Sequence, residues 1–264
     1  MATTRAEKRD RNRQSRQSKE RTTEDKLKLH LSQITPATDN QRRSFEYYDD
    51  GKNLLLHGVP GSGKSFISLY LALEEVMEDL NKPRKVVIIR SAQSSKSIGF
   101  LPGTAAQKME VFEAPYISIC AKLFKRGDAY SILKQKGIVE FESTSFLRGT
   151  TIDNAIVILD ECQNLGYNEL KTVLTSIGEN AKVIVCGDIN QDDLTSSRYN
   201  EESGLKSMMR VLDKIPSIRK VEFEVDDIVR SGFVREFILA ELQQIGYFRD
   251  TKKVQTQHDN TAWY

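Results

Sequence analysis

A chain of 264 residues with 39% apolar and 29% charged side chains has the material for one sizeable folded domain and for polar segments beside it. Its net charge of +2 is unevenly spread, because residues 1–26 hold nine Lys/Arg against five Asp/Glu. No apolar run nears the ~18 residues that a spanning helix needs, and the three isolated cysteines, Cys120, Cys162 and Cys186, exclude a disulfide framework or a CxxC-type zinc site.

Residues 1–26 form a basic arm of Arg, Gln and Ser with almost no apolar side chain, a composition that stays solvated and disordered unless a partner such as nucleic acid holds it. The first twenty residues lack the apolar middle of a secretory signal, so a cytoplasmic protein is expected, in the host cytoplasm if the source is viral. Order is expected to begin at Leu27, Leu29, Leu31 and Ile34, followed by the turn-rich stretch Thr35 to Gln41 and a helix around Arg42 to Tyr48. Lys52 to His57 reads as a buried strand, and Leu69, Leu73, Val76 and Leu80 recur at helical spacing after it. Further strands are predicted at Lys85 to Arg90, Ile138 to Glu142, Ala155 to Asp160, Lys182 to Gly187 and Lys220 to Glu224. Helices are predicted at Asn168 to Ile177, Gly204 to Asp213 and Asp226 to Gln244, the last with Ile228, Val229, Phe233, Phe237, Leu239 and Leu242 as its core stripe. The alternation predicts an α/β fold with a mainly parallel sheet and helices on both faces, as a single domain over 27–248 followed by a polar tail over 249–264. His30, His57 and His258 are scattered and read as ordinary core or surface histidines.

The chemistry begins between the first strand and its helix, where the chain reads Gly58-Val59-Pro60-Gly61-Ser62-Gly63-Lys64-Ser65. Glycines at these positions let the backbone wrap a phosphate with its N–H groups inward, Lys64 reaches the β- and γ-phosphates, and Ser65 offers a hydroxyl to Mg²⁺. The helix entered at Lys64, Ser65 and Phe66 points its positive end at the anion. Residues 58–66 are therefore the candidate ATP contacts. A second signal is the apolar strand Ile156-Val157-Ile158-Leu159 that delivers Asp160 and Glu161 to its C-terminal end, where open α/β sheets bind ligands. With a phosphate loop nearby, Asp160 is the candidate second Mg²⁺ holder and Glu161 the base that orients and deprotonates the attacking water. Arg90, Lys96 and Arg148 fall in stretches leading to the same sheet end and are the candidate contacts to a nucleic-acid backbone.

Gly187-Asp188-Ile189-Asn190-Gln191 resembles the Gly-Asp-x-x-Gln element of superfamily 1 helicases, which makes Gln191 the expected γ-phosphate sensor. Asp227-Ile228-Val229-Arg230-Ser231 resembles the helicase element whose arginine meets the γ-phosphate, here Arg230, and Gln41 resembles the helicase glutamine that reads adenine. Together with Ile98-Gly99-Phe100-Leu101-Pro102-Gly103, Ser145-Phe146-Leu147-Arg148-Gly149-Thr150-Thr151 and Leu159-Asp160-Glu161-Cys162-Gln163-Asn164, these stretches resemble the PhoH-like family over about residues 34–240. Ser231 and Cys162 stand where that family usually has histidine and alanine.

The resemblance implies a RecA-like P-loop ATPase using ATP and Mg²⁺, in a family frequent in bacteriophages, associated with phosphate starvation and proposed to act on RNA. No nuclease activity is expected, because the nuclease domain fused to some relatives is not in this sequence. One RecA-like unit gives only one wall of a helicase cleft, so a homo-oligomer, such as a hexameric ring with a trans arginine from Arg198 or Arg148, is expected to supply the other. Two readings follow: an ATP-driven motor or remodeller on single-stranded RNA or DNA, and a nucleotide-controlled assembly switch without strand movement.

Overall fold

The computed structural model describes residues 28–78, 84–91, 105–144, 149–188, 204–244 and 246–247. Gln191, Lys96, Arg148 and Arg198 lie outside these residues, as do the arm over 1–26 and the tail over 249–264. Six strands, β1 (Asn53–Gly58), β2 (Lys85–Arg90), β3 (Val139–Ser143), β4 (Ala155–Asp160), β5 (Lys182–Gly187) and β6 (Ile218–Phe223), form one sheet in the order β3-β2-β4-β5-β1-β6. Every neighbouring pair is parallel.

A wholly parallel sheet must be covered on both faces, and side-chain alternation along the strands divides the core accordingly. Leu54, Leu56, Val86, Ile88, Ile156, Ile158 and Ile184 point to one side. There they meet helices α1 (Asp39–Asp49), α2 (Lys64–Glu78), α3 (Ala105–Phe124) and α4 (Ala129–Gln135). Leu55, Val87, Ile89, Val157, Leu159, Val183 and Val185 point to the other, against α5 (Tyr167–Thr175) and α6 (Gly204–Leu212). The α/β reading of the sequence therefore holds in its architecture, with strand limits within two residues of those expected.

Helices α3 and α4 are additions to the elements read from the sequence. In α3 the buried residues Phe112, Tyr116 and Cys120 recur every four positions, while Pro115 sits on the exposed side, where the carbonyl that loses its N–H partner can turn to water. Glu113, buried on the same helix, is neutralised by Lys134 at 2.7 Å and hydrogen-bonded by the Tyr130 hydroxyl at 2.6 Å, which docks α4 onto α3. The three cysteines are free and buried, His57 is buried on β1, and no helix among the described residues is long and apolar enough to cross a membrane.

The last helix departs from expectation. It does not start at Asp226: Val225–Asp227 is a 3-10 turn, residues 228–231 are irregular, and α7 runs only over Gly232–Gln244. The backbone there has other partners, since the Val229 N–H donates to the Gly61 carbonyl at 3.1 Å and Gly232 takes φ +58°, a left-handed conformation that a helix interior cannot use. The buried face is only partly the expected one. Phe233 and Phe237 are 78% and 57% exposed and Val229 is exposed as well, whereas Ile228, Leu239 and Leu242 of the expected stripe pack with Ile238 on Val59.

This orientation has a direct check in urea-unfolding free energies. Ile238→Ala is expected to cost about 2–4 kcal/mol as a core truncation, and Phe237→Ser to change stability by no more than about 0.5 kcal/mol. Equal losses would contradict the placement of α7.

Candidate functional site

The site lies at the C-terminal edge of the sheet, where β1, β4 and β5 each deliver functional groups. β1 ends in Gly58, whose φ of +119° and tight packing leave no room for a side chain: a Cβ there would sit 2.0 Å from the Phe223 carbonyl oxygen on β6. Gly61 and Gly63 also take positive φ, 76° and 84°, so the backbone turns twice within three residues before α2 begins at Lys64. The loop is internally tied. Ser62 is buried and donates its hydroxyl to the Val59 carbonyl at 2.9 Å, and the Lys64 ammonium lies across the loop on the Gly58 and Val59 carbonyls at 2.8 and 2.7 Å. Burial pulls the Lys64 ammonium down from the ordinary lysine range, while Asp188 foremost, then Glu161 and Asp160, oppose that shift.

β5 separates β1 from β4 in the sheet, yet the α2 terminus spans the gap: the Ser65 hydroxyl donates to Asp160 Oδ1 at 3.0 Å. The other carboxylate oxygen of Asp160 accepts from the Tyr116 hydroxyl of α3 at 2.8 Å. Tyr116 was not legible as a site residue, since nothing but tertiary packing brings α3 to β4. Beside a buried carboxylate, its phenol is pushed well above the usual tyrosine range, first by burial and then by the Asp160 charge, so it stays a hydrogen-bond donor.

Glu161 follows Asp160 in the left-handed region, φ 54° and ψ 44°, an uncommon conformation for a residue with a Cβ. Both oxygens of its carboxylate have neighbours. Oε2 accepts from Gln163 Nε2 at 2.6 Å, and Oε1 faces the Arg90 guanidinium at 3.8 Å. Burial and the neighbouring Asp160 hold the Glu161 carboxyl above the ordinary range, partly offset by Arg90, Gln163 and Lys64. Gln163 is a second residue that sequence reasoning did not single out. Its amide oxygen accepts the Asp188 N–H at 3.1 Å, so one side chain joins the Glu161 carboxylate to the end of β5. Gly187 leaves space for that contact, since a Cβ there would come to 2.7 Å from the Leu205 side chain and 3.3 Å from the Gln163 amide oxygen.

Of the remaining expected residues, Arg230 is exposed, with its stem over Gly61: its Cγ lies 3.0 Å from where a Gly61 Cβ would be. Arg90 faces Glu161 from the end of β2. Gln41 is buried, and both ends of its amide are engaged by backbone, accepting from the Ala37 N–H and donating to the Ser62 carbonyl oxygen, each at 2.9 Å. The loop, the lysine and the two acids thus occupy one sheet edge.

The donor set suits a triphosphate with a hard cation. Hydroxyl and carboxylate oxygens of Ser65 and Asp160 stand together, while no cluster of three His, Cys, Asp or Glu occurs among the described residues. Such a pair holds Mg²⁺ when phosphates and water complete the shell.

The PhoH-like protein family matches residues 33–241. Similar chains include the PhoH-like protein of Bacillus subtilis, 31% identical over 192 residues, 72% of this chain and 58% of that one. Protein PhoH of Escherichia coli is 31% identical over 212 residues, 79% and 58% of the respective chains. The PhoH-like protein of Mycobacterium leprae is 29% identical over 208 residues, 78% and 57%. The chain thus spans a little over half the length of the curated relatives it matches. Among solved structures, the large terminase of a thermophilic bacteriophage aligns over 75% of this chain and 48% of its own, at a TM-score of 0.43 and 12% identity. The Pif1 helicase of Candida albicans aligns over 72% and 40%, at 0.34 and 14%. With a phosphate loop, an Asp-Glu strand and a family match over most of its length, the chain is a P-loop nucleotide-binding protein and belongs to the PhoH-like family.

Proposed function

We propose that this protein binds and hydrolyses ATP with Mg²⁺, and that turnover drives a homo-oligomeric motor or remodeller on single-stranded RNA or DNA. The observation that supports it most is the 3.0 Å contact between Ser65 and Asp160, with Lys64 and Glu161 beside it. Mg²⁺ would be held by Ser65 and Asp160, and there it supplies charge neutralisation on the phosphoryl oxygens. Glu161 removes the proton of the water that attacks the γ-phosphorus, and Gln163 fixes the carboxylate for that transfer. As the bond to the bridging oxygen breaks, Lys64 and Arg230 meet the charge spread over the transferred group and the departing diphosphate. Lys64 reaches it by exchanging the loop carbonyls for phosphate oxygens, a trade of neutral acceptors for charged ones. Gln191 senses the γ-phosphate in the same proposal. Gln41 is proposed to brace the loop through Ala37 and Ser62, while the second N–H and the second lone pair of its amide remain for an adenine edge.

One PhoH-like unit offers a single wall, so strand movement needs a neighbouring copy to supply a second. The exposed pair Phe233 and Phe237, next to the segment that lies on the loop, favours a second reading in which nucleotide state controls docking without strand movement.

Lys64→Ala is expected to lower ATP affinity and turnover by about a hundredfold or more, and Glu161→Gln to keep ATP binding while losing about a hundredfold in turnover. Calorimetric titration and phosphate release check both, and normal hydrolysis by either variant would move the site elsewhere. Steady-state turnover with and without single-stranded RNA or DNA separates the two readings. The motor predicts stimulation by at least several-fold, and an unchanged rate with nucleotide-dependent change of oligomeric state would leave the switch.

A further inference from the structure

We infer that Asp227 is a positioning residue of the phosphate loop, which it shapes by tying together the two segments that hold the loop's carbonyls. The inference rests on the reading of that loop as the triphosphate site and adds to it a side chain that touches neither phosphate nor metal.

Asp227 closes the 3-10 turn after β6 and is 4% exposed. A single oxygen of its carboxylate, Oδ2, accepts two hydrogen bonds, from Asn40 Nδ2 at 2.7 Å and from the Glu224 N–H at 2.8 Å. Donors to a buried carboxylate are charge-assisted and costly to lose. Here they join the first turn of α1 to the segment that leaves β6.

Each joined segment takes one carbonyl of the loop. On the α1 side, Gln41 follows Asn40 and its amide donates to the Ser62 carbonyl at 2.9 Å. On the other side, Val229 lies two residues beyond Asp227 and its N–H donates to the Gly61 carbonyl at 3.1 Å. Both segments also pack directly on the turn: a Cβ at Gly63 would meet Gln41 Nε2 at 3.2 Å and Val229 Cγ2 at 3.6 Å. In a planar trans peptide the C=O and N–H point in opposite directions. Pinning the Gly61 and Ser62 carbonyls toward these donors therefore aims the N–H groups of Ser62 and Gly63 the other way, as donors an anion can use. Asp227 also sets the start of the stretch that lays Arg230 over Gly61, so one carboxylate positions backbone donors and a guanidinium together.

The shared acceptor has a graded test. In Asp227→Leu no oxygen remains for either donor, whereas in Asp227→Asn the amide oxygen in the place of Oδ2 can still accept from both Asn40 and the Glu224 N–H. Titration calorimetry of the whole chain with magnesium ATP and magnesium GTP reads the loop, and the thermal midpoint without nucleotide reads the fold.

Asp227→Leu is expected to raise both Kd values by the same factor, about tenfold, and Asp227→Asn to stay within about threefold of the wild type. Loss confined to the thermal midpoint, or an Asp227→Asn variant that binds no better than Asp227→Leu, would overturn the assignment. Should Asp227→Leu fail to fold, Asn40→Ala removes only the donor, and it is expected to weaken binding by at least about threefold; wild-type binding by it would equally overturn the assignment. Lys64→Ala in the same series keeps the premises apart. If that variant binds both nucleotides normally, the loop is not the triphosphate site, whereas loss there with intact binding in Asp227→Leu defeats the brace alone.

Discussion

The hydrogen bond from Ser65 to Asp160 is the constraint on which the site depends, because it joins the start of α2, the helix that follows β1, to the end of β4 past the intervening β5. A hydroxyl at the start of a helix and a carboxylate at the end of a strand can meet there only if α2 leaves β1 over the sheet edge at the right angle. The glycines at 58, 61 and 63 permit that exit, and the two core layers fix the helix once it has left. The same two oxygens are of the kind a hard divalent cation takes, and they are the proposed Mg²⁺ ligands.

Around this contact the polar groups are held by one another and by the backbone. Tyr116 engages the second oxygen of Asp160, Gln163 ties Glu161 to β5, and Gln41 and Val229 hold the loop carbonyls. Apart from Lys64, which must leave its loop carbonyls, a site fixed in this way has little reorganisation left to make in the proposed hydrolysis, where preorganised dipoles exert their effect. The Glu161 backbone in the left-handed region is the strained element in the arrangement, and its carboxyl, shifted upward by burial, is correspondingly a better proton acceptor than an ordinary one.

The parts of this site that were legible in the sequence are those encoded by local spacing. The glycines, Lys64 and Ser65 declare a loop whatever surrounds them, and the apolar run before Asp160 and Glu161 declares a strand end. Tyr116, Gln163 and Asp227 were not assigned roles, because they tie to Asp160, Asp188 and Asn40 at 44, 25 and 187 positions away and only the fold shows which of many such pairs are used. The misreading of Asp226 to Gln244 has a local cause. Phe233 and Phe237 fit an apolar helical stripe as well as Ile238 does, so the pattern alone places Ile228, Leu239 and Leu242 correctly but not the two phenylalanines, and the Val229 hydrogen bond to the loop, which keeps the preceding segment out of the helix, has no sequence signature.

The central claim is that one phosphate-loop site per chain holds a divalent cation through Ser65 and Asp160 only in the company of a nucleoside triphosphate. Electron paramagnetic resonance of Mn²⁺ in place of Mg²⁺ tests it most directly, on the wild type and on Ser65→Ala, with and without a non-hydrolysable ATP analogue. The account predicts one bound Mn²⁺ per chain with the analogue, and loss of most of that signal both without the analogue and in Ser65→Ala. Mn²⁺ bound equally well without nucleotide, or bound unchanged in Ser65→Ala, would contradict it.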